Sequence, residues 1–405
     1  MSQPTGLKRS LSLPLLICYG VGTTVGAGIY VLVGKVTAEA GLYAPIAFIL
    51  ASLIAAFSAF SFAELSARFP VSAGEAVYIH NGLRSKHLAL LVGLLVITAG
   101  TVSSAAIAQG FVGYLAEFLI LPRWLVVTGL LGLLGIIAIL GIAESVTVAA
   151  VATVIEVGGL LAVMWGGRGS FSDFASRLPD LLPPLEAAPW FAVLGGAVLA
   201  FYAFIGFEDM VNVAEEVKDV RRTMPAAIIA TLVITTLCYV GLIIIAVMVV
   251  PVADLAASEA PLSLLFERTT GVSSAAISVI AMIAVVNGAL VQIIMAARVL
   301  YGLAVQGWMP SLFARIHAGR RTPLSATVTV TLVACCLALW LPLVTLAELT
   351  SLVTLVIFAL VNLSLIAIRR RQGAATEGLV LPLWVPYCGL LTSAALAVIA
   401  FRQLI

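Results

Sequence analysis

The stretch YGVGTTVGAGIYV at residues 19–31 places four glycines inside an otherwise apolar segment. Gly20, Gly22, Gly26 and Gly28 all fall within nine residues. Because each glycine costs roughly 1 kcal/mol relative to alanine in a helix interior, the segment forms a weak helix. We therefore predict that a membrane helix beginning here is interrupted near its middle.

A second apolar segment, 180 positions later, repeats this feature. Its sequence at 201–216 is FYAFIGFEDMVNVAEE, in which Gly206 precedes Glu208 and Asp209. Adjacent acids at membrane depth are costly against lipid, so they must face a cavity or partners. Interruptions at matching positions, Gly26 and Gly206, indicate a transporter built from inverted repeats. The alternative is that the glycines only allow close helix packing.

The composition of the whole chain places it in a membrane. Of its 405 residues, 62% are apolar and only 10% are Asp, Glu, Lys or Arg, whereas soluble domains average about 25% charged residues. The five cysteines lie in apolar segments and show no metal-ligand spacing, so we predict neither a disulfide framework nor a metal site. The loops contain no nucleophile–base pair or phosphate-binding motif, which argues against an enzyme.

Eleven apolar runs are long enough to be predicted as spans. They are residues 13–34, 40–66, 88–119, 124–142, 146–166, 189–211, 224–250, 272–300, 323–341, 346–368 and 380–402. Of the 21 Lys and Arg residues, fifteen fall on one side of this arrangement and six on the other. Because positive residues favour the cytoplasm, we predict a multi-pass protein of the inner or plasma membrane with its N-terminus inside and its C-terminus outside.

An interrupted membrane helix has a binding chemistry of its own. The break frees backbone N–H groups, which attract a carboxylate, and carbonyl groups, which attract an ammonium. Two such breaks side by side can hold a zwitterion without charged side chains. The pattern therefore predicts an amino acid or a similar zwitterion as the substrate.

The chain resembles the amino acid–polyamine–organocation superfamily, and most of all its prokaryotic amino acid permeases and cationic amino acid transporters. The resemblance is strongest in GVGTTVGAGIYVLVG (20–34), FAELSARFPVSAGEAVYI (62–79), FYAFIGFEDMVNVAEEVKDVRRTMP (201–225) and ARVLYGLAVQGWMP (297–310). It implies an all-α integral membrane protein with a LeuT-like five-plus-five inverted-repeat bundle, here with about 11 transmembrane helices where many relatives have twelve.

The same resemblance implies a single transporter domain over residues 1–405. Its first repeat would run from about 13 to 166, its second from about 189 to 368, and an extra helix from about 380 to 402.

By resemblance, the first break would bind the substrate backbone. The amides around Gly26, Ala27 and Gly28 would hold the carboxylate, with Thr23 or Thr24 nearby, and the carbonyl of Thr24 would face the amino group.

The second break would complete this site. The carbonyls of Tyr202 and Ile205 would also face the amino group, and Phe207 and Glu208 would bound the side-chain pocket or the path outward. Tyr202 matches a position whose aromatic ring closes over the substrate in relatives; the alternative is a packing residue, as aromatic rings in membrane spans more often are.

Coupling to protons is expected from the few acids at membrane depth. Relatives carry an acid in the same broken helix as Glu208, which makes it our first candidate; the alternative is a structural acid that binds freed amides. At Glu156, in VATVIEVGGL, proton-coupled relatives often have Lys. The reversed charge leaves three roles open: proton carrier, cation ligand or partner of a basic group.

Three further polar residues have more than one possible role. Asn287 and Gln292 lie in an apolar run and are candidates for lining the substrate cavity or the former ion site, with interhelical hydrogen bonding as an equal possibility. Glu64 precedes Arg68 by four residues, which predicts an ordinary surface ion pair on one helix face.

Together these features predict a secondary active transporter of amino acids working by alternating access, with proton-coupled symport. The alternatives are an amino acid or amine exchanger, a polyamine carrier and, more remotely, a non-transporting amino acid receptor. We expect no cofactor beyond a proton gradient as the driving force. The expected partners are the substrate and membrane lipid, with no nucleic acid, while the oligomeric state and the transported amino acid stay open.

Overall fold

The computed structural model of the chain describes residues 11–71, 74–141, 146–316, 322–373 and 378–404, with only the backbone described for Ala27 and for 146–149. Within these ranges the chain forms fifteen α-helices: α1 (Leu13–Ala40), α2 (Ala44–Arg68), α3 (Gly74–Leu83), α4 (Lys86–Ala116), α5 (Arg123–Leu140), α6 (Val146–Gly166), α7 (Phe174–Arg177), α8 (Ala187–Tyr202), α9 (Val220–Val249), α10 (Val252–Ala257), α11 (Pro261–Thr270), α12 (Ala275–Val305), α13 (Leu324–Trp340), α14 (Leu343–Gln372) and α15 (Trp384–Leu404).

Short 3-10 helices connect several of these α-helices. They are Gly41–Tyr43, Gly167–Asp173, Leu178–Leu181, Glu208–Glu216 and Ser311–Ala314. The described residues contain no β-strand, only an isolated bridge between Leu11 and Val217.

The predicted all-α membrane architecture is confirmed. Among the described residues, eight stretches are long and apolar enough to cross a membrane, and the first of them, Leu13–Arg68, runs over both α1 and α2. Two shorter helices, α8 and α13, are also apolar. The total of eleven spans and the boundaries of the two repeats stay predictions.

The middle of the bundle is occupied by α1, which packs against α6, α8, α9 and α12. Its residues Val25, Ile29 and Tyr30 are fully buried. Large apolar side chains such as Leu332 and Leu391 are instead exposed at the periphery. This distribution suits a surface that contacts lipid, since lipid tails are as apolar as leucine.

Local sequence explains several helix ends. Ser85 precedes α4, and its side chain accepts a hydrogen bond from the N–H of Leu88 at 3.2 Å, which satisfies one of the unpaired amides of the first turn. The last turn of α5 ends at Gly141, whose φ of +68° is a left-handed conformation that glycine adopts easily. The Ser85 hydrogen bond therefore stabilises the start of α4, and Gly141 allows the chain to leave α5 at its last turn.

The predicted span at 189–211 is interrupted rather than continuous. α8 ends at Tyr202, a turn follows, and the chain continues from Glu208 to Glu216 as a 3-10 helix. The interruption was expected at Gly206, but the return to a second α-helical half was not observed. The segment after Gly206 contains four acids and an asparagine, yet Glu208, Asp209, Met210 and Val211 are buried, so packing within the bundle decides its helix type.

Candidate functional site

The first predicted interruption is confirmed at Gly26 of α1. Its dihedral angles, φ 7° and ψ −134°, are not helical, and helix continues on both sides. A Cβ atom on Gly26 would lie 3.7 Å from Cα of Gly288, whereas one on Gly28 would lie 2.6 Å from Cα of Ala203. Gly28 therefore allows α1 to approach the turn after α8. Ala27 lies between these glycines, and only its backbone is described.

The second interruption is confirmed at Gly206. Its φ of +128° is a conformation that L side chains rarely adopt. A Cβ atom at this position would also lie 2.4 Å from the carbonyl oxygen of Thr23. The second break is therefore in direct contact with the backbone of α1 three residues before Gly26, and only glycine permits this approach.

Thr23 joins the two breaks through its side chain. Its Oγ1 lies 3.0 Å from the carbonyl oxygen of Gly206 and 2.9 Å from that of Gly20, so the hydroxyl donates to one or both. Thr23 therefore lies between the interrupted backbones, and its proximity to a bound substrate stays a prediction.

Some backbone groups freed by the breaks already have partners inside the protein. The N–H of Gly206 donates to Oε2 of Glu208 at 2.8 Å, and the carbonyl of Thr24 accepts the hydroxyl of Tyr239 at 2.8 Å. The first contact is the structural arrangement considered for Glu208 as an alternative. A substrate that binds the Thr24 carbonyl would have to share it with, or displace, Tyr239.

Tyr202 connects the second break to α4. Its hydroxyl lies 2.9 Å from the hydroxyl of Ser103, and its carbonyl accepts the N–H of Ile205 at 3.2 Å in the turn after α8. The ring is buried. This geometry accommodates both interpretations of Tyr202, as a residue that closes over a substrate and as a packing residue.

Phe207 lies in an aromatic cluster beside the break. Its ring centroid is 5.9 Å from that of Phe62 on α2 and 5.4 Å from that of Phe358 on α14. All three rings are fully buried. Phe207 therefore forms part of a wall where α2 and α14 meet the second break.

Glu156 and Asn287, assigned separately from the sequence, are in contact. The side-chain amide of Asn287 on α12 donates to Oε1 of Glu156 on α6 at 3.0 Å. Oε2 of Glu156 is buried and has no hydrogen-bond partner among the described residues. The backbone carbonyl of Glu156 accepts the hydroxyl of Tyr30 on α1 at 2.6 Å. The structure thus supplies the partner that sequence reasoning did not identify, and it is neutral.

A small cavity lies beside the second break. Glu208 and Asp209 line it together with Ile205, and Gln292 of α12 donates from Nε2 to Oδ2 of Asp209 at 3.0 Å. Gln292 therefore both lines a cavity and makes a hydrogen bond between elements, so its two predicted roles stay open. Glu75 of α3 is also in the lining and was missed.

Glu75 lies outside the apolar spans, in the helix that connects α2 to α4, where an acid ordinarily faces water. Here it is only 4% exposed. Burial, with a smaller contribution from the nearby Asp209, raises the pKa of Glu75 to about 8. The only sequence signal was an acid inside the characteristic stretch at 62–79.

The prediction of a surface ion pair at Glu64 is wrong in its environment. Arg68 does contact Glu64 at 2.7 Å, but Glu64 is fully buried. Arg369 of α14 lies 2.9 Å from Oε1, and the N–H of Leu381 donates to Oε2 at 3.1 Å. The burial follows from α14 and the segment before α15 covering the end of α2, which helix periodicity alone does not reveal.

The chain is similar in sequence to several transporters and permeases. It is 31% identical over 393 residues to "Cationic amino acid transporter 3, mitochondrial" of Arabidopsis thaliana, an alignment covering 90% of this chain and 63% of the relative. It is 28% identical over 393 residues to "Methylthioribose transporter" of Bacillus subtilis (strain 168), covering 92% and 83%. It is 27% identical over 398 residues to "Branched-chain amino acid permease BcaP" of the same organism, covering 90% and 82%.

The chain spans less than two thirds of the length of the plant cationic amino acid transporters it resembles, between 60% and 64%. The alignments cover a larger share of the two bacterial relatives, 83% and 82% of their length. The profile of the family described as "Amino acid permease" matches residues 11–403, which is nearly the whole chain. These matches extend over both interrupted helices and the helices that surround them. The chain therefore belongs to the amino acid permease family of the amino acid–polyamine–organocation superfamily.

Proposed function

We propose that this protein is a secondary active transporter that carries amino acids across the membrane by alternating access, driven by protons moving in the same direction. The observation that carries the proposal is the direct contact between two interrupted backbones, where Thr23 bridges to Gly206. Peptide dipoles brought together in this way provide both a positive and a negative end for a zwitterion.

The names of the relatives favour transport but not one substrate. These names refer to cationic amino acids, methylthioribose and branched-chain amino acids. A zwitterion-binding centre accounts for both cationic and branched-chain amino acids, because all amino acids share the same amino and carboxyl groups. We leave the side chain of the amino acid open for this chain.

An exchanger is the second candidate, and one contact favours it. Glu208 accepts the N–H of Gly206 within its own turn. If this bond holds Glu208 as a permanent structural acid, it carries no proton, and substrate would move only in exchange for substrate. The polyamine carrier lacks a specific supporting contact, because a polyamine has no carboxylate for the amides of α1.

The experiment is uptake into proteoliposomes with a panel of radiolabelled basic, branched-chain and small neutral amino acids. Each is measured with and without an imposed pH gradient. Accumulation that requires an acidic outside supports symport. Counterflow of the same substrate without gradient dependence would support the exchanger, and no uptake or counterflow of any amino acid would refute the proposal.

The proton carrier can then be identified with two isosteric variants, Glu156→Gln and Glu208→Gln. We propose that one of these two groups titrates during transport, so one variant alone should lose gradient-driven accumulation while retaining counterflow. Asn287 can still hydrogen-bond the side chain of Glu156→Gln, which protects the fold of that variant. Equal pH dependence of uptake in both variants and the wild type would refute the assignment.

A further inference from the structure

The cavity beside the second break brings together carboxyl groups from two different elements. Glu75 comes from α3, and Glu208 and Asp209 come from the 3-10 helix. No lysine, arginine or histidine is among the described residues that line it. Three carboxyl groups in such surroundings cannot all be ionised without a compensating positive charge, so they must bind protons or another cation.

One hydroxyl in this cavity has no partner. Thr354 of α14 lines the cavity and is 2% exposed, yet its Oγ1 makes no hydrogen bond with any described residue. Thr350, one turn earlier, also lines the cavity, but its hydroxyl donates to the carbonyl of Leu346 at 2.9 Å. A buried hydroxyl without a partner is costly, so the Thr354 hydroxyl indicates a hydrogen-bonding ligand within the cavity.

The groups around the three acids are mostly uncharged. Gln292 donates to Asp209, and the lining residues of α4 are apolar. Two tyrosines interact electrostatically with the cluster, Tyr78 of α3 with Glu75 and Tyr19 of α1 with Asp209. Arg298 and Glu216 act on Tyr19 and are not among the lining residues, and Arg298 has contacts of its own.

We propose that Glu75, Glu208 and Asp209 share an exchangeable proton in this cavity, that the Thr354 hydroxyl hydrogen-bonds to the protonated cluster, and that Glu75 passes the proton to water. The position of Glu75 supports the last step, because α3 joins the end of α2 to the start of α4 at one face of the bundle. The step is a simple proton transfer that leaves the Glu75 carboxylate behind. Burial, which raises the pKa of Glu75 to about 8, suits such an exchange near neutral pH.

This inference rests on the proposed proton-driven transport but concerns a different site from the Glu156–Asn287 pair. It adds a group, Glu75, that lies outside the spans and that the interrupted helices do not themselves require. Thr354 and Thr350 lie on the same helix but differ in their hydrogen bonds, since only the Thr350 hydroxyl has a partner among the described residues. Variants of Glu75 and of these two threonines therefore provide the test.

The first measurement is an infrared titration of the purified full-length protein, following the carbonyl band of protonated carboxyl groups between pH 6 and 10. The wild type should lose intensity around pH 8, and Glu75→Gln should lack this component. Thr354→Val should shift its midpoint by about half a pH unit or more, because one hydrogen bond to the cluster is lost. Thr350→Val is the matched control and should leave the midpoint unchanged.

The second measurement is amino acid exchange in proteoliposomes at equal pH on both sides, which makes the orientation of the protein irrelevant. The substrate is the panel member that the wild type transports best. The wild-type rate should change by about tenfold across the titration of a single group, and Glu75→Gln should flatten this profile.

Three results would overturn the inference. One is an unchanged infrared titration in Glu75→Gln. Another is loss of the band on adding sodium chloride or arginine at constant pH, which would identify an inorganic or organic cation as the ligand. The third is a Thr354→Val midpoint equal to that of the wild type. Failure of the proposed function is recognised separately, because the wild type itself would then show no dependence on a pH gradient.

Discussion

At the scale of single residues, Gly206 is constrained twice. Its φ of +128° excludes most side chains, and a Cβ atom would collide with the Thr23 carbonyl at 2.4 Å. Together these effects would cost about 2 kcal/mol or more if the backbones stayed in place. The two breaks would therefore move apart to relieve the collision.

We expect Gly206→Ala to reduce amino acid uptake by about tenfold or more, because about 1.4 kcal/mol corresponds to a factor of ten. Gly158→Ala is the matched control: Gly158 lies in α6 with no neighbouring atom within 4 Å of an added Cβ. Initial uptake rates at equal protein amounts test the pair. Similar rates in both variants would show that the contact between the breaks is dispensable.

A second residue-scale prediction concerns pH and Glu75. Its folded pKa of about 8 lies above the ordinary value of 4.5, so the folded state binds the proton more tightly than the unfolded state. This contribution to stability is full below pH 4.5 and is lost as the pH rises through about 8. Between pH 6 and 9 the wild type should lose about 3 °C or more in melting temperature beyond any loss in Glu75→Gln. The same change of melting temperature with pH in both proteins would contradict the assignment.

At the scale of elements, the apolar runs predicted where most long helices lie, because a membrane helix can be recognised from its length and hydrophobicity alone. The run at 146–166 matches α6 at both ends. The breaks at Gly26 and Gly206 were also predictable, since local glycine content weakens a helix. The helix type after Gly206 was not, because tertiary packing decides whether a short polar segment becomes α-helical.

Pairings between elements were beyond the sequence. Glu156 and Asn287 are 131 positions apart, and no spacing rule connects them. Likewise, Glu75 belongs to a polar connection and becomes buried only when α3 packs against α4 and α14. Helical periodicity identified the partner of Glu64 on its own helix, Arg68, but not the one on α14, Arg369.

The Glu64 cluster gives an element-scale prediction, because it joins α2 to α14. Glu64→Gln removes a buried charge that balances two arginines, and breaking such a pair costs about 3 kcal/mol. We expect a markedly lower melting temperature in detergent. Asp254→Asn, which breaks the exposed Asp254–Arg268 pair, is the matched control and should cost less than about 1 kcal/mol. Equal losses in the two variants would mean that burial of Glu64 adds nothing.

At the scale of the whole molecule, contacts between connections agree with the predicted alternation of spans. Arg371, at the end of α14, donates to the carbonyl of Asn81 in α3. The end of α14 and the helix α3 therefore lie at the same face of the bundle. A Cβ atom on Gly113, near the end of α4, would touch the carbonyl of Glu259 before α11, so these lie together at the other face. The excess of Lys and Arg on one side predicts which face is cytoplasmic.

That charge asymmetry leads to a test of orientation. Positive residues are retained on the cytoplasmic side, so Lys218 should lie inside the cell and Glu117 outside. Both positions are exposed and suit labelling. In intact cells, a membrane-impermeant maleimide should label Glu117→Cys and should label Lys218→Cys only after permeabilisation. The unmodified chain, with its five free cysteines, measures the background. The reverse labelling pattern would invert the molecule and place Glu75, with its proposed proton exchange, at the outer surface.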